Sequence, residues 1–168
     1  MVPGSRGPTS DDFGAPHYGD HCVGQLSCDG RELYFTVLPG ADGLWPPDFH
    51  LRGYSAATMD SFTQAISDEA RSTYASILLR WDRIFILSLA IWMMLTGWRG
   101  DWLRYAVIFL AVIYAGVDLA ENAAIFRFVC LFDFDAAVIA AASSLTMAKF
   151  ASLYLCGLVL VVHVRRSA

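Results

Sequence analysis

The chain has 168 residues, 56% hydrophobic and 17% charged, with a formal net charge of −4 at pH 7. Soluble domains run at about 45–50% apolar and about 25% charged, so the composition argues against an ordinary soluble domain. The acidic balance argues against nucleic acid as a partner. The apolar excess is segregated: residues 1–76 are polar and rich in Gly, Pro and Asp, whereas residues 77–164 are almost continuously apolar. The pattern is that of a tail followed by a membrane domain.

Residues 1–30 read as loop, because Gly4, Gly7, Pro8, Gly14, Pro16, Gly19, Gly24 and Gly30 interrupt any periodicity. No basic start followed by an apolar run marks a signal peptide there. His17, His21, Cys22 and Cys28 are the ligand types of a zinc site, but closed zinc sites present tighter pairs on a turn. They make a weak metal candidate, and no cofactor is expected. The run Leu33 to Leu38 is too short to span a membrane and suits a strand or a surface segment.

Residues 40–54 are expected to be an extended aromatic linker, since Pro46 and Pro47 disfavour a helix. Trp45, Phe49 and Tyr54 suit the headgroup level of a bilayer. Ser55 is a candidate N-cap for a short amphipathic helix carrying Met59, Phe62 and Ile66. Ser67 repeats the signal, with Asp68 and Glu69 in the first turn. This second helix should run through Tyr74 directly into the membrane.

Three spans are expected, at about 77–98, 102–128 and 136–164, each long enough at about 1.5 Å per residue. Arg80, Asp82 and Arg83 occupy the first turns of the first span. The arginines can snorkel, while Asp82 pairs with either of them or faces the bundle. Trp92, Trp98 and Trp102 mark the far interface, and the short turn at 97–101 forces an antiparallel hairpin. The expected fold is an all-α membrane protein. Three antiparallel transmembrane helices (77–164) follow interfacial helices (55–76) and an irregular acidic tail with its linker (1–54).

The second span carries Asp118, Glu121 and Asn122 on one stripe with Tyr114 and Ile125. Ionisable groups at such depth are costly and demand a partner or a purpose. Lys149, the only lysine, lies in the third span, with Thr146 one turn before it. Measured from the connecting turn, Asp118 lies about 15 Å deep and Lys149 about 20 Å deep. A Lys149–Asp118 pair is therefore reasonable, and Asn122 can satisfy a remaining carboxylate oxygen or a backbone group. Small residues recur every fourth position of the same helix, at Ala136, Ala140, Ser144, Ala148 and Ser152. Such a ladder lets another backbone approach closely.

Arginine placement is balanced: Arg99, Arg104, Arg165 and Arg166 oppose Arg71, Arg80, Arg83 and Arg127. The terminal Arg165-Arg166 pair favours a cytoplasmic C-terminus. His163 beside it reads as an interfacial residue.

These residues resemble a family of small bacterial multi-pass membrane proteins. The matching motifs, over roughly residues 52–155, are Arg52-Gly53-Tyr54-Ser55, Arg71-x2-Tyr74, Trp81-Asp82-Arg83-Ile84-Phe85, Asp118-x2-Glu121-Asn122 and Lys149. Their order carries the likeness more than any one motif. The resemblance implies the bacterial inner membrane and a four-helix bundle whose first helix precedes Gly53-Tyr54-Ser55. Here only the Leu33 to Leu38 run stands in that place, and Ala70 stands where a glycine is usual. No activity comes with the resemblance.

No catalytic motif is present: Gly53-Tyr54-Ser55-Ala56-Ala57 lacks the closing glycine of a nucleophile elbow, and there is no phosphate-binding loop or zinc-protease signature. Tyr54, Ser55, Arg71, Tyr74 and Asp82 are expected to brace the interfacial helices against the bundle. The expected function is a non-catalytic accessory or assembly component in the lipid bilayer, as a homo-oligomer or subunit of a larger complex. A buried Asp118/Glu121/Asn122/Lys149 cluster would tie its helices. The alternative is a proton or small-ion carrier using the same cluster.

Overall fold

The computed structural model describes Arg31, residues 33–98 and residues 102–167. The candidate metal ligands His17, His21, Cys22 and Cys28 lie outside these residues, as does part of the 97–101 turn. The described residues are helical, with no strand among them. Helix α1 is Ala56–Ala65, α2 Asp68–Ser76, α3 Asp82–Thr96, α4 Leu103–Cys130 and α5 Ala136–Ser167.

Leu33–Val37 form a π-helical turn continued by Leu38–Gly40, so the strand alternative for this run is not adopted. The reason is tertiary. Val37, Leu38 and Ala41 are buried in the core, and Gly40 lies so close to α2 that a Cβ there would meet Ala70 Cβ at 2.5 Å. The Gly40 carbonyl accepts the Ser67 N–H at 2.7 Å, anchoring the start of α2.

The linker is not wholly extended. Pro47–Phe49 close a 3-10 turn, with Pro47 at the first helical position, where its missing N–H costs nothing. Ser55 caps α1 by accepting the Thr58 N–H at 3.2 Å, and Ser67 caps α2 by accepting that of Ala70 at 3.3 Å. Both caps lie where the sequence signals put them. Met59, Phe62 and Ile66 are buried on one side of the α1 segment.

The chain then runs without a break from α2 through a π-helical turn, Ile77–Trp81, into α3. A π-turn takes up one residue more than an α-turn and so rotates the succeeding helix about its axis. Arg80 in this turn and Arg83 beyond it are exposed, whereas Asp82 turns toward α4.

Two helices are long and apolar enough to cross a membrane: α4 over Leu103–Cys130, hydropathy 1.8, and α5 over Ala136–Arg166, hydropathy 2.0. They make the most extensive contact among the described elements. Glu121 meets Thr146, Asp118 meets Lys149 and Cys156 meets the Val107 carbonyl, so rising number on one helix faces falling number on the other. The core falls into two apolar layers. One gathers Met59, Phe62, Tyr74, Ile125, Phe128 and Ile139. The other gathers Ile86, Met93, Val107, Ala111, Tyr114, Cys156 and Leu160. In register along α4 and α5, the polar residues 118–122 and 146–149 lie between them.

Candidate functional site: a buried polar layer

Asp118, Glu121 and Asn122 share a stripe because their spacings of three and four residues match the helical turn. All three are buried, as are Thr146 and Lys149, one turn apart on α5. Lys149 Nζ stands 2.6 Å from Glu121 Oε2 and 3.5 Å from Asp118 Oδ1. The tie expected between Lys149 and Asp118 is thus centred on Glu121, with Asp118 as second partner. The rise estimate compared depths but not azimuths, and the azimuth favours Glu121. Thr146 contributes a hydroxyl whose single hydrogen goes either to Glu121 Oε1 or to the Ala142 carbonyl. Lys149 Nζ also lies 5.2 Å from the centre of the Phe150 ring, within cation–π range.

Asn122 does not serve the Lys149 pair. Its Nδ2 donates to Asp82 Oδ2 at 2.7 Å, tying α4 to the start of α3. Asp82 therefore faces the bundle and not its arginine neighbours. Tyr114 lies within reach of Asp118 from one turn away.

A fourth carboxylate joins from an unexpected place. Asp48, on the Pro47–Phe49 turn, accepts a hydrogen bond from the buried Tyr74 hydroxyl at 2.6 Å. Burial pushes the Asp48 carboxyl above its ordinary range, opposed by the charge of Lys149 and by the Tyr74 bond and reinforced by Asp82. Burial likewise pushes the Tyr74 and Tyr54 hydroxyls up. In sequence Asp48 is one of ten acids in the polar segment, about a hundred residues from Lys149. Its one local signal is the Pro46-Pro47 pair, which fixes the turn that aims it.

The brace forms. The Tyr54 N–H donates to Ser143 Oγ at 2.8 Å, and the Tyr54 ring packs 6.3 Å from that of Phe128. Arg71 donates to the Thr63 carbonyl at 3.1 Å, closing the end of α1, and lies 4.4 Å over the Phe132 ring beyond α4. Its ion pair with Asp68 is solvent-facing and contributes little. Ser55 acts as a cap and Tyr74 holds Asp48.

Two other expectations resolve differently. Ala136, Ala140, Ser144 and Ala148 are exposed and Ser152 half-buried, so the small-residue ladder is not packed against another of the described helices. The face of α5 that is buried carries Ile139, Ala142, Ser143, Thr146, Lys149, Cys156, Leu160 and His163. His163 is buried by protein: it is 1% exposed and its Nε2 lies 3.1 Å from the Gly97 carbonyl, joining α5 to the end of α3.

Among the described residues, no three side chains of His, Cys, Asp or Glu come together as a metal site. The arrangement is one ammonium among four carboxylates, each with a neutral donor or the lysine beside it. No family model, no curated protein and no solved structure matches the chain.

Proposed function

We propose that the chain is a three-span integral membrane protein whose polar layer binds and releases protons, making it a small proton carrier or the proton-handling part of one. The observation that carries this reading is charge. Asp48, Asp118 and Glu121 all act on the single Lys149, so full ionisation would leave two negative charges uncompensated. Two like charges about 4 Å apart repel by about 4 kcal/mol at an effective dielectric of about 20. Holding an ordinary carboxyl protonated at pH 7 costs about the same. Repulsion among the carboxylates therefore favours proton uptake by one of them. Lys149 compensates Glu121, its nearest partner, and Asp118 is the carboxylate left to take up and release a proton.

Support for three spans comes from the outer surface. Residues 77–96 form one continuous helical rod about 30 Å long, the thickness of a hydrocarbon core. Ile84, Phe85, Leu87, Ile91, Trp92 and Leu95 on it are exposed and apolar, as suits a lipid-facing surface. Asp82 against Asn122 at one end, and Gly97 against Val107 at the other, favour an antiparallel bundle. We place the protein in a bacterial inner membrane, with Arg165 and Arg166 on the cytoplasmic side.

The test is reconstitution into liposomes with a trapped pH-sensitive dye under an imposed pH gradient. Wild type is expected to dissipate the gradient, and Asp118→Asn to abolish the effect while leaving helicity intact. Wild-type vesicles that hold the gradient as well as empty ones would sink the carrier reading.

The exposed small-residue face of α5 favours a second reading. In it the chain is a non-catalytic accessory or assembly component, self-associated or docked in a larger complex, and its polar layer is a structural tie. A stoichiometric partner copurifying in detergent, together with no proton flux, would favour this reading. Lys149→Met/Asp118→Asn tolerated better than either single change would identify a static pair.

A further inference from the structure

We infer that Asp48 is the group through which the buried layer exchanges protons with water. The inference rests on the proton-binding reading and adds the route. Of the four carboxylates, Asp48 alone lies off α3 and α4, on the three-residue turn Pro47–Phe49. Its neighbours Trp45, Phe49 and His50 wall an open cavity of about 320 Å³. The Trp45 and Phe49 rings lean together at 5.5 Å, and His50 Nε2 holds the Trp45 carbonyl at 3.3 Å, so this wall is built rather than loose. Asp48 itself accepts a hydrogen bond from the buried Tyr74 hydroxyl. The short turn therefore joins the cavity wall to the interior.

The two carboxylates nearest Lys149 have almost no exposure of their own. Glu121 is 0% exposed and Asp118 4% exposed. Along the helix axes the polar layer is closed on one side by Ile125 and Phe128 and on the other by Ala111 and Met93. A path from the side, past Asp48 and the Tyr74 hydroxyl, does not have to cross these closing residues.

The groups that face Asp48 come from each element packed around it: Tyr74 on α2, Asp82 on α3, Glu121 on α4, Lys149 on α5 and Tyr54 from the linker. Lys149 acts electrostatically on Asp48 and stands 3.5 Å from Asp118. In the proposed route it takes the intermediate place. Water in the cavity delivers a proton to the Asp48 carboxylate. Asp48 then gives up that proton as Lys149 passes one of its N–H protons to Asp118, so Lys149 ends as ammonium, Asp48 as carboxylate and Asp118 as acid. Only O–H and N–H bonds change.

The test is infrared spectroscopy of the full-length protein in detergent after a rapid pH jump. The carbonyl band of protonated Asp118 is identified by its loss in Asp118→Asn. In wild type this band is expected to follow the jump. In Asp48→Asn it is expected to reach the same final amplitude at least tenfold more slowly, with Asp48→Glu restoring the rate. His50→Trp, which fills the cavity without touching the polar layer, should also slow it, and it serves if Asp48→Asn does not fold. Equal rates in wild type and Asp48→Asn, or an unslowed His50→Trp where Asp48→Asn does not fold, would overturn the route but leave proton binding standing. A wild-type band that never changes with pH would overturn both.

Discussion

Removing the single ammonium, by Lys149→Met, puts the charge argument at greatest risk. Methionine preserves most of the stem and the contact with Phe150, so the loss is chiefly that of the charge 2.6 Å from Glu121 and 3.5 Å from Asp118. Stranding a buried carboxylate costs about 3–5 kcal/mol, but Glu121 has an escape in taking up a proton. Holding a carboxyl that ordinarily titrates near 4.3 in its acid form costs about 1.4 kcal/mol per pH unit, hence about 4 kcal/mol at pH 7 and about 1 kcal/mol at pH 5. The penalty of Lys149→Met should therefore shrink by about 3 kcal/mol between these conditions. Denaturation in mixed detergent micelles at both pH values, followed by circular dichroism, measures it. Adding Glu121→Gln should recover most of the loss at pH 7, and Asp118→Asn should recover less because Asp118 stands farther from the ammonium. A penalty that is the same at both pH values would mean that packing and not charge had been lost, and the charge account would fail.

Three further outcomes are expected. Tyr74→Phe removes the hydroxyl that donates to Asp48 at 2.6 Å and should cost about 1–3 kcal/mol. The cost should fall in an Asp48→Asn background, and purely additive values in that cycle would contradict the pairing. Gly53→Ala should destabilise by more than about 1 kcal/mol, because Gly53 has φ +77° and a Cβ there would lie 2.7 Å from Ser143 Oγ, which already receives the Tyr54 N–H. Its thermal unfolding relative to wild type is the check. Asp48 holds its proton more tightly folded than unfolded, so its contribution is greatest below its ordinary value of 3.8 and is lost as pH rises through the raised folded value. The stability difference between wild type and Asp48→Asn should move against wild type over that window, and a difference rising with pH would contradict the burial of Asp48.

The features legible in the sequence are local or periodic. Ser55 and Ser67 could be read as caps because a cap needs only its own helix start. The apolar runs of α4 and α5 declare themselves by length and composition, and Asp118, Glu121 and Asn122 share a stripe because the helical repeat dictates it. A partner for them in Lys149 came from rise and connection alone.

Azimuth and long-range assembly, by contrast, are settled only when the helices pack. Rise cannot say which way a helix is rotated about its neighbour, so the choice of Glu121 over Asp118 as the near partner, and the outward turn of the Ala136 to Ser152 ladder, needed the packed helices. Local composition cannot distinguish a buried histidine from an interfacial one, because His163 is buried by Gly97, some sixty-six residues away. Asp48 is the strongest case. Nothing within its own segment requires it to be buried, since an acid in a Pro-rich linker is ordinarily solvated. It is drawn in because Tyr74, twenty-six residues later, needs an acceptor in an apolar core. That contact brings a further carboxylate toward the layer around Lys149.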